Sequence, residues 1–376
     1  MRTTRAAVLR EMGAAAPYAE SRPLEIREVE LAPPGAGEVM VRVRAAGLCH
    51  SDLSVINGSR PRVMPMVLGH EAAGEVVEVG PGNSKLEVGD HVVFSFVPVC
   101  GECPACSEGR PAMCAPGAVA NAGGSLLSGS RPFHDEAGEL NHHLGVSAFA
   151  DYTTVSAKSC VMIDPSLDFK IAALFGCAVM TGVGAVVNTA KVQPGTSCAV
   201  YGLGGVGLAA LIGARASGAN PLVAVDLSDD KLALAKELGA THTVNAADPD
   251  ALDQVRAITH GGANTVVESV GSAKVLETAY AATGRAGTTV TVGLPHPKAR
   301  LDIQAVSLTV DERVLRGSYM GSAIPSRDIP RFIAMYQAGL LPVDRLMSHT
   351  LELDDINAAF DVLDRGEAVR QVVLFP

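Results

Sequence analysis

Four cysteines, Cys100, Cys103, Cys106 and Cys114, fall in the run CGECPACSEGRPAMC with the spacing C-x2-C-x2-C-x7-C. Soft thiolates at this spacing can close around one tetrahedral zinc, because short spacers let a single folded lobe supply every ligand. A metal with all four positions filled cannot bind substrate, so the cluster reads as structural and the chemistry must lie elsewhere. Cys49, His70 and Cys177 stand in the small-residue contexts GLCHSD, LGHEAAG and GCAVMTG. Two thiolates and one imidazole would leave a fourth position open, as a catalytic zinc requires. Cys160 and Cys198 lie in apolar, strand-like runs and read as buried small hydrophobes.

A glycine-rich turn supplies a further candidate site. Val200 and Tyr201 end an apolar strand, and Gly202-Leu203-Gly204-Gly205-Val206-Gly207 follows at once, opening a helix with Leu208, Leu211 and Ile212 on one face. Between strand and helix, glycines permit a tight turn, close approach of a pyrophosphate to the helix N-terminus, and close helix packing. Nineteen residues beyond Gly207 the run LVAVD ends in Asp226. A carboxylate there accepts hydrogen bonds from the adenosine ribose and repels a 2′-phosphate, so NAD is expected rather than NADP. Lys231 is placed to cover the ribose or adenine edge.

The elements that must position these groups follow from patterning. A chain of 376 residues, 48% of them hydrophobic, is long enough for two cores. From Glu38 to about Val99, short β-rich runs such as EVMVRVRAAG and DHVVFSFV are broken by Gly, Pro and Asp turns, which implies a compact β domain. Between Ser197 and Gly317, strands alternate with helical stretches, which implies a doubly wound parallel sheet. Two helical stretches follow, SRDIPRFIAMYQAG and DDINAAFDVLDRG. In the second, Ile356, Ala359, Phe360 and Leu363 keep the helical period, with Asp354 as the expected N-cap and Gly366 beyond the end. A formal charge of −10 with no basic block argues against a nucleic-acid partner. The first residues, MRTTRAAVLREMG, hold no apolar signal core, and no run approaches a membrane span. A cytoplasmic protein without membrane contact is expected.

Taken together, GLCHSD, GHEAAGEVVEVG, Gly89-Asp90, the four-cysteine lobe, GC followed by Thr181-Gly182, GLGGVG with its distal Asp226, and the final VRQVVLF resemble the zinc-dependent medium-chain alcohol dehydrogenases in order and over nearly the whole chain. The long segment that includes HHLGVSAF resembles their dimeric long-loop branch. The resemblance implies an α/β protein: a GroES-like β-barrel catalytic domain (residues 1–178), a Rossmann NAD-binding domain (179–319) and a return segment (320–376) completing the first. It implies two zinc ions per chain, NAD, and a homodimer. Cys49, His70 and Cys177 would hold the catalytic zinc. Asp52 would accept the other N–H of His70, and Glu71 would lie behind the metal. Ser51 would take the substrate proton. Ser54 stands where several relatives end the proton relay with histidine, so the relay must end differently here, in water or through His50. His50 and Arg370 would face the cofactor pyrophosphate, and Thr181, Val206, Val292 and Tyr319 the nicotinamide. Phe96, Leu144, Phe149, Met180, Leu294 and Met320 would line an apolar channel, with Arg60 and Arg62 near its mouth. The expected activity is interconversion of a medium-chain or aromatic primary alcohol and its aldehyde. The alternative is a formaldehyde dehydrogenase acting on S-hydroxymethyl glutathione or mycothiol, set second because NGSRPRVMPMVL lacks the acidic residues those enzymes usually carry before GHE. A non-catalytic NAD-binding protein on this scaffold would be expected to lose zinc ligands, yet all seven are present.

Overall fold

A computed structural model describes residues 1–82 and 85–376. The chain divides into two compact units, one of residues 1–177, 324–330 and 347–376, the other of residues 178–323 and 331–346. The segment after residue 320 is thus shared between them.

The first unit contains a closed barrel whose strands run in the order Arg2–Leu9, Leu24–Leu31, Phe133–Asp135, Gly138–His142 and Met66–Val67. Ala6, Val8, Leu31, Met40, Phe133 and Leu140 fill one core. The adjoining seven-stranded sheet is organised on Glu38–Gly47, which pairs with Glu71–Val79, Tyr152–Ser156 and Gln371–Leu374. Surrounded in this way, its residues are buried almost without alternation.

Two local features of this unit set up the site. Helix His50–Ile56 begins at Cys49, which holds an extended conformation at the N-cap position. One turn therefore carries Cys49, Ser51 and the buried Asp52. Gly69, just before His70, has φ +93°, and a Cβ there would lie 2.5 Å from the Phe149 nitrogen. Only glycine admits this turn, and the strand Glu71–Val79 starts directly after it.

The second unit is built on a six-stranded sheet in the order His242–Asn245, Leu222–Asp226, Cys198–Tyr201, Ala263–Glu268, Thr283–Thr291 and Val314–Gly317. All its pairings are parallel. Chain order reverses beside Cys198–Tyr201, and the carboxyl end of that strand is where such sheets bind ligands. The glycine-rich turn follows there, and helix Gly205–Ala216 leaves it with Leu208, Leu211 and Ile212 fully buried.

Helix Ile356–Asp364 buries Ile356, Ala359, Phe360 and Leu363, and Gly366 follows with φ 70°. The expected N-cap at Asp354 is corrected. A 3-10 turn, Leu353–Asp355, leads into the helix, Asp355 takes the cap position, and Asp354 pairs with Arg5 at 2.9 Å on the surface. Among the described residues no single helix is long and apolar enough to cross a membrane.

A Cβ at Gly207 would lie 1.8 Å from the Gly202 carbonyl oxygen, whereas one at Gly204 would meet nothing within 4 Å. Gly207→Ala should therefore destabilise by about 2–3 kcal/mol and Gly204→Ala by less than about 1 kcal/mol. Denaturant midpoints of the two variants check this; equal midpoints would refute the close packing at Gly207.

Candidate metal and cofactor sites

In the lobe at residues 100–114 the four sulfurs lie within 4.8 Å of one another. Cys103 and Cys106 sulfurs are 3.5 Å apart, and those of Cys100 and Cys106 4.0 Å. The edge of a ZnS4 tetrahedron with bonds of about 2.3 Å is about 3.8 Å, so the donor set fits zinc. Backbone N–H groups of Glu102 and Cys103 point at Cys100, and those of Cys100 and Gly117 at Cys114. Such donors favour the thiolate form. Backbone N–H groups of Cys106 and Ala115 draw the Cys103 thiol down to about 6, whereas burial pushes Cys106 up to about 12. A divalent cation would replace that contested proton.

Cys49, His70 and Cys177 come together in the same unit, with donor atoms within 4.8 Å and all three side chains buried. A hydrogen bond from Cys177, aided by the His70 charge, holds Cys49 well below the usual thiol range, and that bond together with burial holds Cys177 well above it. Three soft or borderline donors that compete for protons, with no fourth side chain in the cluster among the described residues, fit a zinc with one open position. The His70 Nδ1 lies 3.1 Å from Oδ1 and 3.0 Å from Oδ2 of Asp52. This leaves its Nε2 for metal and fixes the tautomer.

Glu71 and Arg370 lie on the other side of the thiols. Arg370 is buried; its Nη1 donates to the Leu48 carbonyl at 2.7 Å and stands 3.3 Å from Glu71. Burial lifts the Glu71 carboxyl to about 7 despite the arginine. Ser51 and Ser54 are both half-buried, and the Ser54 hydroxyl donates to the His50 carbonyl at 2.7 Å.

One residue near the metal triad goes unnoticed in the sequence. His143 is buried, with Nδ1 3.1 Å from Asp52 Oδ1, and its ring meets that of His70 edge-on at 5.6 Å. The signal available was the pair of histidines in HHLGVSAF, but the pair alone does not say which one turns inward. His142 is engaged elsewhere, on the Thr154 carbonyl at 3.0 Å, and burial pushes it down to about 3.

In the second unit Asp226 accepts from the Leu203 N–H at 2.6 Å and the Ser228 N–H at 3.0 Å, which holds the carboxylate against the glycine-rich turn. Helix Gly205–Ala216 has no side-chain cap, and the space at Gly204 is open. An uncapped helix N-terminus with room above it fits a dinucleotide phosphate. Lys231 and Val206 are half-buried near this turn, Val292 donates its N–H to the Glu268 carbonyl, and Tyr319 is exposed. The Thr181 hydroxyl is buried without a protein partner.

The expected channel residues divide between the units. In the first, Phe96 meets His70 edge-on at 5.5 Å, Leu144 is buried, and Phe149 packs against Phe360. In the second, Met180 and Met320 are buried and Leu294 is exposed.

Residues 35–165 match the alcohol dehydrogenase GroES-like domain, and residues 205–338 the zinc-binding dehydrogenase domain. The chain is 36% identical to the S-(hydroxymethyl)glutathione dehydrogenase of Paracoccus denitrificans, over 99% of this chain and 100% of that protein. It is 37% identical to the enzyme of that name from Escherichia coli, over 96% and 99% of the two chains. The crystal structure of benzyl alcohol dehydrogenase from Acinetobacter calcoaceticus superposes with a TM-score of 0.93 at 33% identity, covering 100% of both chains. The curated relatives overturn the order of the sequence-based expectation, in which a plain primary alcohol came first and the thiol adduct second. The missing acidic residues tested only one way of anchoring a thiol conjugate, through its ammonium group. With both metal-ligand sets assembled and the match running end to end, the chain belongs to the zinc-dependent alcohol dehydrogenase family of medium-chain dehydrogenases/reductases and is an oxidoreductase.

Proposed function

We propose that this dehydrogenase oxidises the S-hydroxymethyl adduct of a carboxylate-bearing thiol, formed from formaldehyde, with NAD. The carrying observation is the identity of 36% and 37%, over nearly the whole chain, to S-(hydroxymethyl)glutathione dehydrogenases. The local charge agrees with it. Arg60 and Arg62 follow the helix that starts at Cys49, and the Arg62 charge is felt at His143. Two guanidiniums on this segment suit a conjugate whose tail carries carboxylates.

Oxidation removes a hydride from the hydroxymethyl carbon and a proton from its hydroxyl. Zinc, when bound, would supply a Lewis acid for the substrate oxygen, and NAD would supply the hydride acceptor. Cys49, His70 and Cys177 hold the metal, and Asp52 fixes the His70 ring. The Ser51 hydroxyl, one turn from Cys49, takes the proton. Ser54 cannot end the relay as a base, because a neutral hydroxyl is too weakly basic to hold the proton near neutral pH. The proton leaves to water at this exposed end of the helix or through the exposed His50. Asp226 would select NAD by charge, Thr181 has a buried, unpaired hydroxyl to offer the cofactor, and Phe96, against the His70 ring, would help keep water from the metal.

The same reading fits a reducing compartment such as the cytoplasm, where six thiolates stay available as metal ligands. It also favours a homodimer. Val314–Gly317 is an edge strand, and Val306, Leu308, Val310 and Val314 are exposed nearby.

Formaldehyde oxidation should rise by about 10- to 100-fold when glutathione or mycothiol is added to an NAD-coupled assay. Equal rates with and without thiol would overturn the substrate assignment. Cys177→Ser should abolish turnover and lose one of about two zinc ions per chain while retaining NAD binding; unchanged zinc content would remove Cys177 from the metal. Light scattering should give twice the chain mass of 38.7 kDa, and a monomer at micromolar concentration would refute the dimer.

A further inference from the structure

Past the last strand of the second unit's sheet, the backbone takes a shape that side chains resist. Met320, Gly321 and Ser322 are consecutive and all left-handed, with φ 54°, 65° and 48°. A non-glycine residue in that region is strained, and such strain persists only where the surroundings enforce it. Close packing on glycine supplies part of the enforcement. A Cβ at Gly321 would lie 2.2 Å from the Met180 carbonyl oxygen, and one at Gly184 2.6 Å from the Gly321 carbonyl oxygen. Polar side chains supply the rest. The buried Thr189 donates from Oγ1 to Ser322 Oγ at 3.0 Å and lies 2.7 Å from Ser318 Oγ, and the Asn188 amide donates to the Gly321 carbonyl at 3.3 Å. With its one proton directed at Ser322, Thr189 accepts from Ser318. Asn188 and Thr189 belong to a π-helical stretch, Ala185–Ala190, that continues helix Ala178–Gly184.

The turn lies at the carboxyl edge of the parallel sheet, where the Ser318 N–H donates to the Thr291 carbonyl at 2.9 Å. In the strand order, Asp226 stands on the opposite side of the central strand Cys198–Tyr201. With adenosine at Asp226 and pyrophosphate at the glycine-rich turn, a dinucleotide extends toward the strands that end at Thr291 and Gly317. Helix Ala178–Gly184 brings Thr181 to the same place. Its carbonyl oxygen would lie 2.9 Å from a Gly321 Cβ, and its hydroxyl is buried with no partner among the described residues. We propose that Thr189 is a positioning residue for the nicotinamide half of NAD: its hydroxyl clasps Ser318 and Ser322 and so holds Tyr319–Ser322 in a left-handed turn beside Thr181. Without the clasp, Met320 and Ser322 relax toward ordinary backbone. Only a fraction of molecules then keeps the turn, and affinity falls by that fraction. The inference rests on the dinucleotide reading of this unit, not on the identity of the substrate.

Calorimetric titration of the zinc-loaded full chain compares NADH with ADP-ribose, which keeps the adenosine, the pyrophosphate and the second ribose but lacks the pyridine ring. Thr189→Val keeps the shape and removes the hydroxyl; its Kd for NADH should rise roughly three- to tenfold while that for ADP-ribose stays within about twofold. Thr189→Ser keeps the hydroxyl and should match the wild type for both ligands. Unchanged NADH affinity in Thr189→Val, equal weakening of both ligands, or a Thr189→Ser variant as weak as Thr189→Val would overturn the proposal. Should Thr189→Val fail to fold, Ser318→Ala removes the other end of the clasp and must weaken NADH alone; any other pattern there overturns the proposal too. Wild-type protein that binds neither ligand would instead sink the dinucleotide reading.

Discussion

A carboxylate with no route to water lies at the centre of the first unit, and its charge can persist there only because N–H groups surround it. Left unpaired, a buried ion of this kind would cost several kcal/mol. Asp52 accepts from Gly69 and His70, with His143 Nδ1 3.1 Å away, and the two imidazoles outweigh burial and hold its carboxyl below the ordinary value. The requirement shapes the surrounding chain. Cys49 and Asp52 share one helical turn, Gly69 takes a conformation open to glycine, and His70 is delivered at the head of a strand. The metal ligands are fixed through what their far sides touch.

How much of this could be read beforehand depended on distance along the chain. The four-cysteine lobe and the glycine-rich turn are local, so spacing alone identifies their chemistry. The alternation of strands and helices after Ser197 likewise identifies the parallel sheet. Cys49, His70 and Cys177 are far apart in sequence, and nothing local joins them; the resemblance to a family carried that step. His143 escaped because two adjacent histidines in an apolar run carry no sign of which one meets Asp52, a matter settled by the fold around Leu144 and Ser147. Asp354 failed as a cap because a 3-10 turn, invisible in the helical period, carried the helix entry to Asp355. The substrate order failed for a chemical reason. An anchor's absence at one position says little when a conjugate has both ammonium and carboxylate groups to hold.

Behind the thiols, Glu71 and Arg370 form a second buried charge pair, which takes part in the same electrostatic field. The guanidinium stays charged despite burial because Glu71 and the two thiols face it. Two negative sulfurs beside an isolated carboxylate would repel one another, and the arginine offsets that repulsion. The Cys49 side of the metal site is therefore tied, through the Leu48 carbonyl, to a residue near the last strand.

That tie has a temporal meaning. Arg370 and strand Gln371–Leu374 are translated after the whole nucleotide-binding sheet, yet they pair with Glu38–Gly47 and close the wall behind Cys49. A ribosome must synthesise the second unit in full while Ala45, Ala46 and Gly47, at the end of the first unit's central strand, wait for their partners in the last strand. The triad's three side chains are all made within the first 177 residues, yet the arginine that balances their charge comes from near the far end of the message.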